Sequence, residues 1–185
     1  MKTITQIGLA TNLILAAGML NLYSSKISQD RLEVIQADAI VQEVATQLHK
    51  ANELQCLATN IYHEARNEGL TGQRAVAWAT MNRVESPKYP DTVCDVVYQA
   101  KLTDAGTPIK NKCQFSWYCD GKSDEIESAS SWNTAMTIAE EVMNNYNIET
   151  DPTNGAIMYH AAYVEPYWAS SYEKTARIDT HIFYN

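Results

Sequence analysis

Apolar residues recur every three to four positions through the first half of the chain, which is the spacing of one helix face. Residues 4–23 are apolar or small, with no charged residue between Lys2 and Lys26. The spacing continues through residues 26–54, where polar residues fill the remaining positions. Its apolar positions are Ile27, Val34, Ile35, Val41, Val44, Ala45 and Leu48. We predict a hydrophobic helix and then an amphipathic one that either links it to a domain or binds a partner.

Two further helices are predicted around a glycine-containing break. Apolar residues keep helical spacing over 55–69 and again over 71–84, and Gly69 and Gly72 interrupt the two runs. Glu64 then lies in the last turn or two of the first of these helices. A carboxyl with apolar and aromatic neighbours is suited to act as a general acid, although a helical glutamate is more often solvated or salt-bridged.

The next part of the chain alternates turn signals with short apolar runs. Two prolines within 86–91 push their preceding residues out of helical geometry. In chain order we predict a loop at 86–91, a short helix at 93–99 capped by Asp91 or Thr92, a loop at 101–112 and a helix from Ser130 or Ser131 to Asn144.

The predicted strands are few and short. Residues 113–119 alternate apolar and polar side chains, which indicates an edge strand or hairpin. A strong turn signal at 151–155 precedes strand candidates at 156–160 and 178–183. The pattern therefore predicts an α+β fold, mostly helical, with a small β-hairpin or sheet.

Composition narrows the function classes. The 185 residues suffice for one domain with a core and a short appendage. The formal net charge of −8, from 22 acidic and 14 basic residues, argues against a nucleic-acid partner, for which a basic face supplies most of the affinity. No glycine-rich phosphate loop is present in the sequence.

Residues 1–25 have the composition of an export segment. A membrane span needs about 20 apolar residues, and a signal peptide has an apolar core of about 7–15 residues after a basic start. The segment fits either a signal peptide or a signal anchor, with Ala16-Ala17 in a possible cleavage site. A buried helix of the soluble domain is the competing interpretation.

Four cysteines agree with export, because an even number in a small exported domain suggests two disulfides. Four cysteines permit three pairings, and the sequence does not choose among them. Locality favours Cys113–Cys119, which leaves Cys56–Cys94. A zinc site is the competing interpretation, but there is no C-x-x-C pair and the four histidines are scattered along the sequence. We therefore expect no metal and no cofactor.

Five sequence blocks occur in a fixed order from about Gln55 to Tyr184. They are CLATNIYHEARNEGLTGQRAVAWATMNRV, YPDTVCDVVYQ, CQFSWYCDGKSDEI, AIMYHAAYVEPYWA and IDTHIFY. This succession resembles the SleB-like cell-wall hydrolases, the spore-cortex-lytic family with bacterial and phage members. The resemblance implies a lysozyme-like, mostly helical catalytic domain at 55–185 that cleaves peptidoglycan. Asn67 stands where the family usually has glycine, which bears on the geometry of the turn.

The resemblance also implies one essential glutamate, and Glu64 occupies its place in the Y-x-E-A-R-x-E pattern. Glu68, four residues on, is a substrate-binding candidate or a second carboxylate that raises the pKa of Glu64 by like-charge repulsion. A bond from Glu68 to a backbone amide or a nearby cation is the structural alternative.

Further substrate-binding candidates are polar or aromatic residues in the matching blocks. They are Gln73, Gln114, Phe115, Ser116, Tyr159, His160, Trp168 and His181. Aromatic side chains offer flat faces to sugar rings, but core packing is an equally good explanation for them. Gln73, together with Arg83, fixes the site in this interpretation, or is an ordinary helix-surface residue. His181 is interpreted as a structural hydrogen-bond donor rather than a base.

The resulting functional hypothesis is a peptidoglycan lytic transglycosylase that leaves 1,6-anhydromuramic ends. The alternatives are a hydrolytic muramidase at the same site, a non-catalytic wall-binding module and a wall amidase. The expected partners are peptidoglycan glycan strands, with transient membrane contact through residues 1–25, which resemble the signal-arrest-release segments of phage endolysins. We expect an exported monomer in the periplasm or cell wall.

Overall fold

A computed structural model describes the backbone of residues 3–185 and the side chains of residues 18–185. By its internal contacts the chain forms two units, residues 1–48 and 49–185. The first helix, α1, spans Thr3–Ala65, so the predicted helices at 26–54 and 55–69 are parts of one helix. No polar break or cap separates them, because the apolar spacing continues through Leu54 and Leu57.

The first unit contains only helix α1 among the residues described. From residue 18 to residue 48 every side chain is exposed. Within the described residues, no helix is long and apolar enough to cross a membrane. The predicted signal or anchor segment at 1–25 lies largely outside the residues whose side chains are described.

Three further helices build the second unit together with the end of α1. They are α2 (Leu70–Glu85), α3 (Val93–Val97) and α4 (Ala129–Asn145). The Thr92 hydroxyl caps α3, as predicted, by accepting a hydrogen bond from the backbone N–H of Asp95. Helix α4 begins slightly earlier than predicted, because Ser128 is its N-cap and accepts from the N–H of Ser131.

The helices enclose one main hydrophobic core. All four helices of the unit contribute buried residues to this core, with Ala77 and Trp78 coming from α2. Its largest fully buried aliphatic side chains come from α1, α3 and α4, and they are Leu57, Ile61, Val96, Val97 and Val142. The Cys56–Cys94 disulfide joins α1 to α3 at the edge of this core. The second disulfide is Cys113–Cys119, so the structure has the pairing that locality favoured among the three that the sequence left open.

Strands β1 (Ala100–Leu102) and β2 (Pro108–Cys113) form an antiparallel hairpin where we predicted a loop at 101–112. That prediction was wrong because most hairpin side chains are exposed, so no apolar alternation marks the strands. The hairpin turn contains Gly106 with a φ of 78°, a conformation that glycine adopts readily.

The predicted strand at 113–119 is also wrong, since residues Ser116–Cys119 form a 3₁₀ helix. The Cys113–Cys119 disulfide closes this short loop. Phe115 and Trp117 are both buried in the main core. Their alternation with polar residues arises because this turn points both side chains into the core, and no strand is needed.

A three-stranded antiparallel sheet completes the unit in the order β3-β5-β4. Its strands are β3 (Met158–Ala161), β4 (Lys174–Ile178) and β5 (His181–Tyr184), with a 3₁₀ helix at Ala169–Ser171 between β3 and β4. The strand predicted at 178–183 spans the β4–β5 turn, where Asp179 adopts a φ of 47°. The predicted fold class, mostly helical α+β with a small sheet, is confirmed.

Candidate functional site

Glu64 lies in the last turn of α1 and faces the first strand of the three-stranded sheet. The Tyr159 hydroxyl on β3 donates a hydrogen bond of 3.2 Å to its carboxylate. Burial raises the pKa of Glu64, while the Tyr159 hydrogen bond and the positive charge of Arg83 act in the opposite direction. No carboxylate in the described part of the chain contributes to this shift. Glu64 is therefore biased toward the protonated acid.

Tyr159 remains a hydrogen-bond donor to Glu64 over the working range of pH. Burial, followed by the negative charge of Glu64, raises the pKa of the Tyr159 phenol well above its usual value. Its ring packs edge-on against His181 and tilted against Phe183. These contacts hold the hydroxyl where Glu64 can accept from it.

Arg83 on α2 supplies positive charge beside this pair. It is 3% exposed, and its Nε donates to the Ile157 carbonyl oxygen at 2.7 Å. Its guanidinium lies over three rings, 4.7 Å from Phe115, 5.5 Å from Tyr89 and 5.6 Å from Tyr159. Its Nη1 has no hydrogen-bond partner among the described residues.

Asn60, which the sequence did not single out, lies one helical turn before Glu64 on α1. It is fully buried, accepts from the Trp117 indole N–H at 3.0 Å and donates to the Thr80 hydroxyl at 3.0 Å. His63 stacks on Trp117 with ring centroids 4.5 Å apart. The sequence signal that could have identified Asn60 is its position as a polar residue within an apolar run of the helix.

Glu68 and Gln73 shape the turn between α1 and α2. Both oxygens of Glu68 accept hydrogen bonds from Thr180, one from its backbone N–H at 3.1 Å and one from its hydroxyl. The Gln73 side chain is buried and donates to the Glu68 carbonyl oxygen at 3.1 Å. Both side chains thus have structural partners in the described chain, and their assignment to substrate remains a prediction.

The same turn is tied to the sheet by Asp179, which sequence reasoning missed. Its carboxylate accepts from the backbone N–H of Gly72 at 2.9 Å, at the start of α2. A Cβ at Gly72 would come within 2.6 Å of that oxygen, so the approach requires glycine. The contact joins residues 107 positions apart, which no local pattern reveals.

The three predicted site residues Gln114, Phe115 and Ser116 do not lie together in the structure. Phe115 is buried under Arg83, whereas Ser116 is exposed. Gln114 borders a separate cavity of about 340 Å³ with Lys101 and Lys112, near the β1–β2 hairpin. Among the described contacts, neither Gln114 nor Ser116 reaches Glu64, so their substrate role stays a prediction.

The aromatic residues of the sheet lie on its two faces. Tyr159 and His181 share the face toward Glu64, and burial lowers the pKa of His181 against the opposing charges of Glu68 and Asp179. His160 points to the other face, where its Nε2 lies 2.9 Å from the Tyr184 hydroxyl and its ring packs edge-on against Trp168. Adjacent strand residues point to opposite faces, which separates His160 from Glu64.

A cavity of about 710 Å³ opens on the His160 face. Tyr163 and Tyr167 border it and are 87% and 94% exposed. These rings could contact a ligand, but they are not part of the Glu64 site. In the described part of the chain, no group of three His, Cys, Asp or Glu side chains is arranged to hold a metal ion.

Comparison with known families matches residues 67–184 to the Cell Wall Hydrolase family. The matched range begins three residues after Glu64, so the assignment of this residue rests on the geometry described above. The range includes Arg83, Tyr159 and the whole three-stranded sheet.

Individual relatives agree with the family. A spore cortex-lytic enzyme of Halalkalibacterium halodurans is 31% identical over 135 residues, which is 72% of this chain and 35% of that protein. A spore cortex-lytic enzyme of Oceanobacillus iheyensis is 40% identical over 57 residues, or 31% of this chain and 21% of that protein. The chain therefore spans about a third or less of these relatives.

Two solved structures share the fold. The catalytic domain of the germination-specific lytic transglycosylase SleB from Bacillus anthracis aligns with a TM-score of 0.54 and 27% identity, over 72% of this chain and 94% of that one. The catalytic domain of Bacillus cereus SleB aligns with a TM-score of 0.52 and 24% identity, over 73% and 91%. With more than half of its length matched, this chain belongs to the cell wall hydrolase family.

Proposed function

We propose that this chain cleaves the MurNAc–GlcNAc strand of peptidoglycan as a lytic transglycosylase, with Glu64 as its single acid and base. Membership of the cell wall hydrolase family supports the substrate class. The observation that carries the proposal is the environment of Glu64, a carboxyl whose burial raises its pKa and whose bonded neighbour is the Tyr159 hydroxyl.

In the first step, protonated Glu64 donates its proton to the glycosidic oxygen. The bond from that oxygen to C1 of the muramic acid breaks, and positive charge develops on the muramic sugar ring. Glu64 becomes a carboxylate next to this charge. The Tyr159 hydroxyl and Arg83 favour that charged form of Glu64, so the proton leaves at lower cost than burial alone would allow.

In the second step, the C6 hydroxyl of the same muramic sugar attacks C1 and closes the 1,6-anhydro ring. Its proton passes to Glu64, which returns to the acid form. The two steps exchange one bond to C1 for another without consuming water. A buried carboxyl suits both steps, since burial favours the acid while Tyr159 and Arg83 keep the carboxylate accessible.

Among the side chains that the structure describes, only Tyr159 and Arg83 act on the pKa of Glu64 besides burial, which supports this scheme over a hydrolytic one. Two-carboxylate glycosidases place their acids about 5–9.5 Å apart across the bond, with one acting as nucleophile or base. Glu68 is the nearest candidate in sequence, and Thr180 engages both of its oxygens. These two hydrogen bonds favour a structural role for Glu68 in the turn, in keeping with a single-acid scheme.

The test is the product made from purified peptidoglycan by the wild-type chain, analysed by mass spectrometry. Fragments ending in 1,6-anhydromuramic acid are expected, and reducing muramic ends would assign the chain to the hydrolytic muramidases. Released peptide stems without glycan cleavage would indicate an amidase.

Two matched variants separate catalysis from structure. Glu64→Gln keeps size and removes the transferable proton, so activity should fall by at least about 10²–10⁴-fold with folding and wall binding retained. Glu68→Gln should retain most of the activity per folded molecule. Substantial activity in Glu64→Gln would reject its role as acid, and wall binding without any wild-type cleavage would indicate a binding module.

We also propose that residues 1–25 direct export, so that the enzyme reaches the cell wall and is tethered to the membrane for a time. Deletion of residues 1–25 should leave an active enzyme in the cytoplasm that no longer lyses the cells expressing it. Lysis by the deleted form without any other membrane lesion would reject this role.

A further inference from the structure

The described part of the first unit exposes a stripe of apolar side chains along α1. The stripe repeats every seven residues, and its first set is 39–70% exposed: Leu20, Ile27, Val34, Val41 and Leu48. A second set lies three residues after each of these: Tyr23, Asp30, Ala37 and Val44. With the single exception of Asp30, both sets are apolar.

This arrangement is the a and d pattern of a two-helix coiled coil. A strict seven-residue repeat keeps one seam facing a partner helix over several turns. A helix that only connected two segments of the chain would not require a seven-residue apolar repeat. The stripe therefore indicates that a partner helix packs against it.

The charges beside the seam indicate which partner and which direction. In a parallel pair of identical helices, Lys26 would lie beside Arg31 of the second copy, and Glu33 beside Asp38 of the second copy. Both contacts join like charges and are repulsive. A parallel pair of this helix is therefore disfavoured along its central turns.

An antiparallel pair centred on Leu32 gives the opposite result. Lys26 then lies beside Glu33 of the second copy, and Arg31 beside Asp38 of the second copy. Each contact occurs twice by symmetry and joins opposite charges. The next flanking pair in the same register joins two exposed apolar residues, Met19 and Ile40.

We propose that residues 18–46, once residues 1–25 have left the membrane, form an antiparallel coiled coil with a second copy of this chain. The chain is then a dimer through α1, in place of the monomer expected from the sequence. The seam pairs Ile27 with Ala37 and Val41 with Tyr23 across the two copies. Asp30 lies opposite Val34 near the centre, where a polar residue fixes register at a cost in stability.

Cysteine cross-linking tests the register on the full chain. Ile27→Cys and Ala37→Cys chains, carrying different tags, are co-expressed and oxidised in mild non-ionic detergent. A mixed disulfide dimer is expected. The matched control replaces Ala37→Cys with Ala39→Cys, which lies on the outer face and should not cross-link. Cross-linking of Ile27→Cys to itself, as a parallel pair requires, overturns the antiparallel register.

Charge exchange tests the pairing by an independent measurement. Sedimentation equilibrium of the full chain should give twice the 20.7 kDa of one chain. Lys26→Glu should raise the dimer dissociation constant about tenfold, and Lys26→Glu with Glu33→Lys should restore it. Asp30→Leu should lower the constant.

Two outcomes of this experiment overturn the proposal. The first is tighter association of Lys26→Glu, because that change removes the repulsion present in a parallel pair. The second is a single-chain mass at every concentration, with the stripe instead binding phosphatidylcholine vesicles.

Discussion

The Tyr159 hydroxyl donates a 3.2 Å hydrogen bond to the Glu64 carboxylate across 95 positions of sequence. This bond stabilises the charged form of Glu64, whereas burial stabilises the neutral form. The balance between the two sets the pH range in which Glu64 can serve as an acid. Tyr159 on β3 therefore influences whether Glu64, at the end of α1, holds its proton.

Tyr159→Phe should move the alkaline limb of the pH–activity profile to higher pH. The general acid must be protonated, and loss of the hydrogen bond raises the pKa of Glu64 further. The rate at the optimum should fall by about 10–100-fold, because a hydrogen bond to a charged group contributes about 1.5–3 kcal/mol. The measurement is kcat/KM on peptidoglycan across pH.

Tyr146→Phe is the matched control for this change. Its hydroxyl donates to Asn82 at 2.7 Å and does not contact Glu64, so the limb should stay where it is in the wild type. An unmoved limb in Tyr159→Phe, or an equal movement in Tyr146→Phe, would contradict the role of the hydrogen bond.

Glu64→Gln should raise the thermal midpoint of unfolding at neutral pH. The folded pKa of Glu64 lies above its unfolded value, so between the two the unfolded chain binds fewer protons. The free energy of unfolding of the wild type therefore falls as pH rises from the unfolded to the folded pKa of Glu64. Glu64→Gln has no charge to bury, so its stability does not fall over this pH range. Thermal scans of both proteins should converge toward pH 4 and diverge above it. A constant difference at all pH values would argue against the raised pKa.

Gly72→Ala should destabilise the second unit by about 1–3 kcal/mol, the usual cost of overpacking. The new Cβ would meet Asp179 Oδ2 at 2.6 Å and Glu68 Cβ at 3.0 Å. Gly69→Ala is the matched control in the same turn, with its nearest approach at 3.2 Å, and should cost less. Urea unfolding measures both, and equal stabilities would show that the turn moves to make room.

The two disulfides should differ in what they contribute to stability. Cys56–Cys94 spans 38 positions and Cys113–Cys119 spans 6. Chain-entropy arguments give about 4 kcal/mol for the first loop and about 2 kcal/mol for the second. Replacing each pair with alanine and measuring urea unfolding should give that order. Free thiols in denatured, unreduced protein from an oxidising compartment would instead show that the bonds do not form.

Short-range features of this chain are determined by the sequence alone. The break at Gly69 places Glu64 in the last turn of α1, and the Thr92 cap fixes the start of α3. The turn at 151–155 was likewise predicted, with Asn154 and Gly155 in positive φ. Spacing, caps and turn residues act over a few positions, so the sequence displays them directly.

Tertiary structure alone decided which side chains share the site. Tyr159 and His160 are adjacent in sequence, and the pairing of β3 with β5 sends only Tyr159 toward Glu64. Glu68, a candidate second carboxylate, accepts a hydrogen bond from Thr180, 112 positions away, and no sequence pattern indicated that contact. The polar β1–β2 hairpin was missed because exposed strands need no apolar alternation. The pairing of strands that are distant in sequence determines which sheet face each side chain is on and which residues it contacts. No local sequence pattern encodes that pairing.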